Sequence, residues 1–267
     1  LLVAAAMFTG VSAADDVEYF YVNSETGNGS ANGRTAGTAV KTFTRACNLA
    51  RKGGGTIVIT NAYEMPKTVY EVEHPDAPFV ITTKDATTDY GATGAKLIFA
   101  KALRYVMKGD TTFENITIEF ENTLNVVANY NHITFGEGVS TVNTGSGSEG
   151  VYVVGGYQYT QDGAVSDAPK YDADSHITIK SGTYWAVSGF SRGPSTEEYT
   201  GTSHIVVDGG TISTVYGAAI NGSYAANSEI IVNGGNVQNL RTAGDQTRRI
   251  NGNSTVTVNG GMIGLLS

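Results

Sequence analysis

Two histidines and a glutamate stand at the same place in three copies of one short phrase. They are His176 in Ser175-His-Ile-Thr-Ile-Lys-Ser-Gly182, His204 in Ser203-His-Ile-Val-Val-Asp-Gly-Gly210 and Glu229 in Ser228-Glu-Ile-Ile-Val-Asn-Gly-Gly235. If the copies are adjacent parallel strands, equivalent places lie ~4.8 Å apart. His204 beside Glu229 then makes an acid–base pair, and His176 beside His204 a pair of imidazoles for a metal. Two ligands without a third do not complete a zinc or copper site, and the plainer reading is a solvated surface column. Lys180 beside Asp208 reads as a surface ion pair, worth ~0–1 kcal/mol. From Thr202 to Leu240 the only charged side chains are Asp208 and Glu229. Four residues apart along the strand direction and one strand apart across it, they stand ~14 Å from each other. That exceeds the ~5–9.5 Å of a glycosidase carboxylate pair, so this face does not hydrolyse glycosides that way.

The aromatic residues offer different chemistry. The chain has 15 tyrosines and one tryptophan, and Tyr159, Tyr199 and Tyr224 fall in the variable segments between phrases. There a flat ring can stack on a sugar ring while its hydroxyl stays wet. Trp185 aligns with Ser213, Gln238 and Gly264, which the phrase places outward, so the sole indole reads as a surface residue and a sugar platform. The competing reading is packing under a neighbouring loop such as 190–202.

The elements that must position these groups come from the repeat itself. A fourth copy, Ser254-Thr-Val-Thr-Val-Asn-Gly-Gly261, completes spacings of 28 residues (175 to 203), 25 (203 to 228) and 26 (228 to 254). Such periods suit one turn of a solenoid, with the strand constant and the loops variable. Alternation sends Ile177 and Ile179, Ile205 and Val207, Ile230 and Val232, and Val256 and Val258 inward in columns. Past the glycine corner Tyr184, Ile212, Val237 and Ile263 continue inward, followed by Val187, Val215, Leu240 and Leu266. Earlier strands are predicted at Phe79–Thr82, Lys96–Phe99, Thr112–Ile118, His132–Phe135 and Gly150–Val154. At ~25 residues per coil, positions 54–267 make about eight coils and a rod of ~40 Å.

Ahead of the strands, Val40, Phe43, Ala46, Cys47 and Leu49 recur at helical spacing. They predict an amphipathic helix over 38–52, with Thr38 as N-cap and Arg51-Lys52-Gly53 as its stop. The segments Tyr21-Val22-Asn23, Gly27-Asn28-Gly29, Val40-Lys41-Thr42-Phe43, Ala46, Ala50 and Gly53-Gly54-Gly55-Thr56-Ile57-Val58-Ile59 resemble the amino-terminal cap of right-handed parallel β-helix proteins of the pectate-lyase-like superfamily. The match covers about 40 residues, with the repeats covering most of the rest; a proline usual before the Lys-Thr step is absent. The resemblance implies an all-β, right-handed parallel β-helix with an N-terminal capping helix. It also implies the chemistry of polysaccharide lyases, which use acidic calcium ligands and an arginine or lysine base. The weak catalytic candidates here are Asp172, Asp174, Arg192 and Arg248, and Asp172-Ala-Asp174 supplies two of the six to eight oxygens that calcium takes. Exposed loop charges are the plainer reading of all four. No Arg-x-x-Lys or paired-Asp signature of a lyase or polygalacturonase occurs in the repeats.

Bulk properties narrow the classes further. At 267 residues, 40% hydrophobic and 16% charged, the chain can bury a sizeable core, and its net charge of −8 disfavours nucleic acid as a partner. Cys47 is the only cysteine, so no intramolecular disulfide forms. Leu1 to Phe8 followed by Val11-Ser12-Ala13 reads as a secretory signal over 1–13, truncated at its start. A cap over 14–53 follows, then a β-helix over 54–267 that continues beyond residue 267 or stacks end to end on a partner. No second segment is apolar enough to span a membrane. The expectation is a secreted, extracellular or cell-surface, adhesin-like protein that binds polysaccharide or a neighbouring protein without catalysis. It needs no cofactor, calcium being the one open alternative. The competing expectations are a polysaccharide lyase acting on acidic polysaccharide and a structural fibre subunit.

Overall fold

A computed structural model describes residues 17–51, 53–66, 78–100, 104–146, 150–156, 172–192, 199–220, 224–225, 227–245, 249–250 and 252–267. The segment read as a secretory signal lies outside them.

Among the described residues the chain is all-β apart from one α-helix and two short 3-10 turns, and its long sheets are parallel. Sheet A has nine strands in chain order: Tyr19–Val22, Gly55–Ile59, Phe79–Thr82, Thr111–Phe113, His132–Phe135, Ser175–Ile179, Thr202–Val207, Asn227–Val232 and Ser254–Val258. Sheet B has four, Ala62–Glu64, Lys96–Phe99, Ile116–Phe120 and Val139–Asn143. Sheet C has seven, Arg104–Val106, Leu124–Val127, Val151–Val154, Thr183–Ser188, Thr211–Tyr216, Asn236–Arg241 and Met262–Leu266. The chain thus passes from A to B to C and returns to A, an arrangement compatible with a parallel β-solenoid. After Val139–Asn143 each described pass goes from A directly to C.

The glycine corner makes that shortcut. Gly182, Gly210, Gly235 and Gly261 have φ of 95°, 78°, 78° and 80°, the left-handed region that side chains rarely adopt. The first of these turns also closes sheet B. Ser181 Oγ donates to the Gly136 carbonyl at 2.6 Å, the Val139 amide donates to Ser181 Oγ at 2.8 Å, and the Thr183 amide donates to Thr141 Oγ1 at 3.0 Å.

Register follows the phrase. Ser175 pairs with Ser203, Ser203 with Ser228 and Ser228 with Ser254, so the sequence spacings are the strand pairings. Ile177, Ile179, Ile205, Val207, Ile230 and Val232 are each no more than 1% exposed. Burying such a side chain contributes ~1.5–3 kcal/mol, and the column repeats it at every pass. Val258 and Leu266 hold the equivalent inward places but are exposed, because they stand on the outermost strand of their sheets. One continuous apolar core runs from Phe20 to Leu240 and draws on all three sheets.

The inward serines are satisfied too. Ser175 and Ser203 donate to the carbonyls of Gly189 and Gly217, and Ser228 to that of Thr242. On the outside of sheet A, Asn259 donates to Asn233 and Asn233 to Asp208, each at 2.7 Å. Asp208 is therefore held by Asn233 rather than by the Lys180 partner expected of it.

Three expectations change. The helix spans Phe43–Ala50, capped by Thr42, whose side chain accepts from the Arg45 amide at 3.2 Å. Thr38 belongs to a 3-10 turn instead, because Val40 bridges to Val22 and its amide donates to the Tyr21 carbonyl. The strand predicted over 112–118 is two, Thr111–Phe113 and Ile116–Phe120, broken where Asn115 takes a left-handed φ of 45°. The short strands Ala62–Glu64, Arg104–Val106, Leu124–Val127 and Val139–Asn143 carry no copy of the phrase and were not predicted. Among the described residues no helix is long and apolar enough to cross a membrane.

Candidate functional site

The outer face of sheet C gathers the aromatic and cationic groups. Along Thr183–Ser188 the inward places are Tyr184 and Val187, 1% and 0% exposed, with Trp185 and Ala186 between them. Two consecutive residues occupy the outside at this point of this pass and the next two, because Val215 and Leu240 pair in line with Val187, and Ile212 and Val237 in line with Tyr184. Trp185 is 46% exposed, in the outward place the alignment assigns it. Ala186 pairs with Tyr152 on one side and Thr214 on the other. A methyl group between a phenol and a threonine leaves a shallow cleft of about 210 Å³, whose lining includes Tyr152, Trp185, Ala186, Arg192, Thr214 and Tyr216.

Arg192 reaches the cleft from the loop after sheet C. Its guanidinium lies 3.6 Å over the centroid of the Tyr152 ring and donates to Asn125 Oδ1. Asn125 is buried and stands beside Tyr152 in the sheet register. A stacked, hydrogen-bonded guanidinium is pre-organised for carboxylates and hydroxyls. Two strands on from Tyr152 stands Tyr216, with Arg241 5.7 Å from its ring and paired with Asp245. The face thus presents one exposed indole flanked by two tyrosine–arginine pairs.

The other candidate residues fall elsewhere. Tyr199, expected as a wet platform, is 2% exposed and stacks on Phe190 at 4.7 Å between ring centroids. These two rings form a second small core with Ala218 and Ala219, which hides the tyrosine. Asp174 Oδ1 accepts from the Thr202 amide at 2.7 Å, a tie between successive passes. Asp172 is exposed in a turn two residues before it. Tyr159 and Arg248 lie outside the described residues, and Tyr224 is described only by its backbone strand, Tyr224–Ala225. The structure brings Trp185 and Arg192 together in one cleft, whose lining does not include Asp172 or Asp174.

A second, larger groove of about 620 Å³ lies outside sheet A over its first strands. Its lining includes Tyr19, Thr56, Val80, Thr112 and Thr134, with Lys84, Asp85, Asp110, Glu114 and His132 around them. Asp85 accepts from Tyr21 at 2.9 Å, Tyr90 at 3.2 Å, and the Thr87 and Thr88 amides at 2.8 and 2.7 Å. Desolvation pushes its carboxyl up, but the bonds from Thr87, Thr88 and Tyr21 outweigh that and hold it at about 2. Such a group is ionised at any working pH and ill-matched to general acid–base catalysis.

The histidine column is longer than the phrase indicated. His132 pairs with His176, His176 with His204 and His204 with Glu229. The rings of His132 and His176 stack at 4.0 Å and 14°, those of His176 and His204 at 4.6 Å and 11°. His204 Nδ1 lies 3.0 Å from Glu229 Oε2. Burial, then the neighbouring His132 and His204, hold His176 below the ordinary histidine range. As the side chains stand, no three His, Cys, Asp or Glu groups among the described residues are arranged to hold a metal ion. Sequence reasoning missed His132, Tyr152 and Asn125 as site residues. The shared triplet His-Ile-Thr at 132 and 176 was the available signal for the first.

Comparison with known proteins adds no name to this arrangement: no family model, curated protein or solved structure matches the chain.

Proposed function

We propose that this chain is a secreted, closed right-handed parallel β-helix of the pectate-lyase-like kind that binds polysaccharide on the outer face of sheet C without cleaving it. The observation that carries the reading is the exposed Trp185 beside the Arg192–Tyr152 stack. The indole supplies a flat apolar surface for a sugar ring, and the guanidinium, oriented by Asn125, supplies donors for ring hydroxyls or a uronate carboxylate. A regular sheet keeps these groups in place before any ligand arrives, which lowers the ordering cost of binding.

The test uses the single tryptophan as reporter. Emission is expected to be red-shifted, open to an aqueous quencher, and altered by the cognate glycan in a panel containing pectate, alginate and rhamnogalacturonan. Trp185→Ala is expected to weaken binding by ~1–3 kcal/mol, the loss of a large apolar contact. Emission indifferent to every glycan, together with unchanged affinity in Trp185→Ala, would overturn the assignment of this face.

A lyase reading draws on the larger groove, where Lys84 and His132 stand near Asp110 and Glu114. Incubation of the same polymers with calcium separates the two. Binding without release of unsaturated uronides supports the first reading, and steady turnover establishes the second.

A further inference from the structure

We propose that the outward column of sheet A binds one divalent transition-metal ion of the zinc, cobalt, nickel or copper class through His176, His204 and Glu229. The three residues occupy one register column on three consecutive strands. Their backbone is fixed by the parallel ladder and by inward neighbours Ile177, Ile205 and Ile230, each no more than 1% exposed. Only the side chains have to move.

Two of the three donors already stand together. His204 Nδ1 and Glu229 Oε2 are 3.0 Å apart. Two donors at ~2.0–2.2 Å from one ion stand ~3 Å apart when their bonds meet at a right angle. The ion takes the place of the contact between them. His176 stacks under His204 with the planes 11° apart, so the edges of the two rings run side by side at the surface. The third donor comes from a change in the His176 side-chain torsions, which must tilt its ring across the 4.6 Å that separates the centroids. Glu229 then reaches the ion from one strand and His176 from the other, with His204 in the middle. His132 lies three strand spacings from Glu229, ~14 Å, too far to share an ion with it. Its part is to pack on the far face of His176 at 4.0 Å.

Chemistry and access fit the same ion class. Two imidazoles and a carboxylate suit borderline metals, whereas calcium and magnesium want oxygen alone. The His204 and Glu229 side chains are 31% and 57% exposed, so an ion arrives from water without opening the fold. Net charge of −8 raises the local concentration of cations.

The test is titration of chelator-dialysed protein at neutral pH with zinc by calorimetry and with cobalt(II) by visible absorption. One ion per chain with a micromolar dissociation constant is expected. His176→Ala, His204→Ala and the near-isosteric Glu229→Gln should each weaken it by about tenfold or more. His74→Ala, at the remaining histidine of the four in the sequence, should leave it unchanged. Circular dichroism checks that each variant keeps its β signal, and Glu229→Gln decides the matter if a histidine variant does not fold. Absence of binding at millimolar zinc, or binding that survives His204→Ala and Glu229→Gln, overturns the site. Binding lost in His74→Ala relocates it and overturns it equally. The outcome is independent of the glycan face on sheet C.

Discussion

Adding one methyl group at Gly189 tests how the passes of the chain are locked together. A Cβ there would lie 2.5 Å from the Gly217 carbonyl oxygen and 2.5 Å from both Cβ and Oγ of Ser203. The Gly189 backbone is not in the left-handed region, so the effect is one of space and not of conformation. Ser203 is fully buried and its hydroxyl already donates to the Gly217 carbonyl, so neither neighbour can withdraw cheaply. Overpacking of this kind costs ~1–3 kcal/mol. Parting the serine from its carbonyl adds ~1–3 kcal/mol for a buried polar group left unsatisfied. Gly189→Ala should therefore destabilise by ~2–5 kcal/mol, read as a lower urea midpoint at unchanged slope. Gly29→Ala, where a Cβ meets nothing within 4 Å, is the control and should change stability by less than ~1 kcal/mol. Adding Ser203→Gly removes two of the three close contacts and should recover part of the loss. A Gly189→Ala midpoint equal to that of the control would refute the serine–glycine lock, and with it the same reading of Gly217 against Ser228.

Two other outcomes follow from single side chains. Asp85 is held at about 2, below the ~3.9 of an unfolded chain, so its contribution is present above pH ~4 and lost as pH falls from ~4 to ~2. Asp85→Asn should flatten the pH dependence of the urea midpoint across that window, and an unaltered profile would show that the carboxylate does not anchor Tyr21 and Tyr90. Arg192→Lys keeps the charge but loses the planar stack on Tyr152. It should weaken glycan binding by ~1 kcal/mol or more while leaving the thermal midpoint nearly unchanged, and equal affinity would remove Arg192 from the site.

Much of the scaffold was legible in the residues alone, because a strand has only two faces and the phrase repeats. Parity sent Ile177, Ile205 and Ile230 inward and Trp185 outward, and the intervals between serines were the pairings themselves. The glycine corners were readable for the same reason: a left-handed turn has almost one residue to choose from. Local rules ended where contacts became distant. Tyr199 falls in a stretch of sequence without period, and whether it meets water or Phe190 depends on its packing with Ala218 and Ala219. Arg192 meets Asn125 across 67 residues, and His132 joins the histidine column across 44, from 132 to 176. The helix is capped four residues later than its apolar spacing suggested, by Thr42 and not Thr38, because Val40 found a better partner in Val22. Periodicity settles which face a residue takes; only the packed chain decides what stands opposite it, since that neighbour is chosen by free energy over contacts that no local window contains.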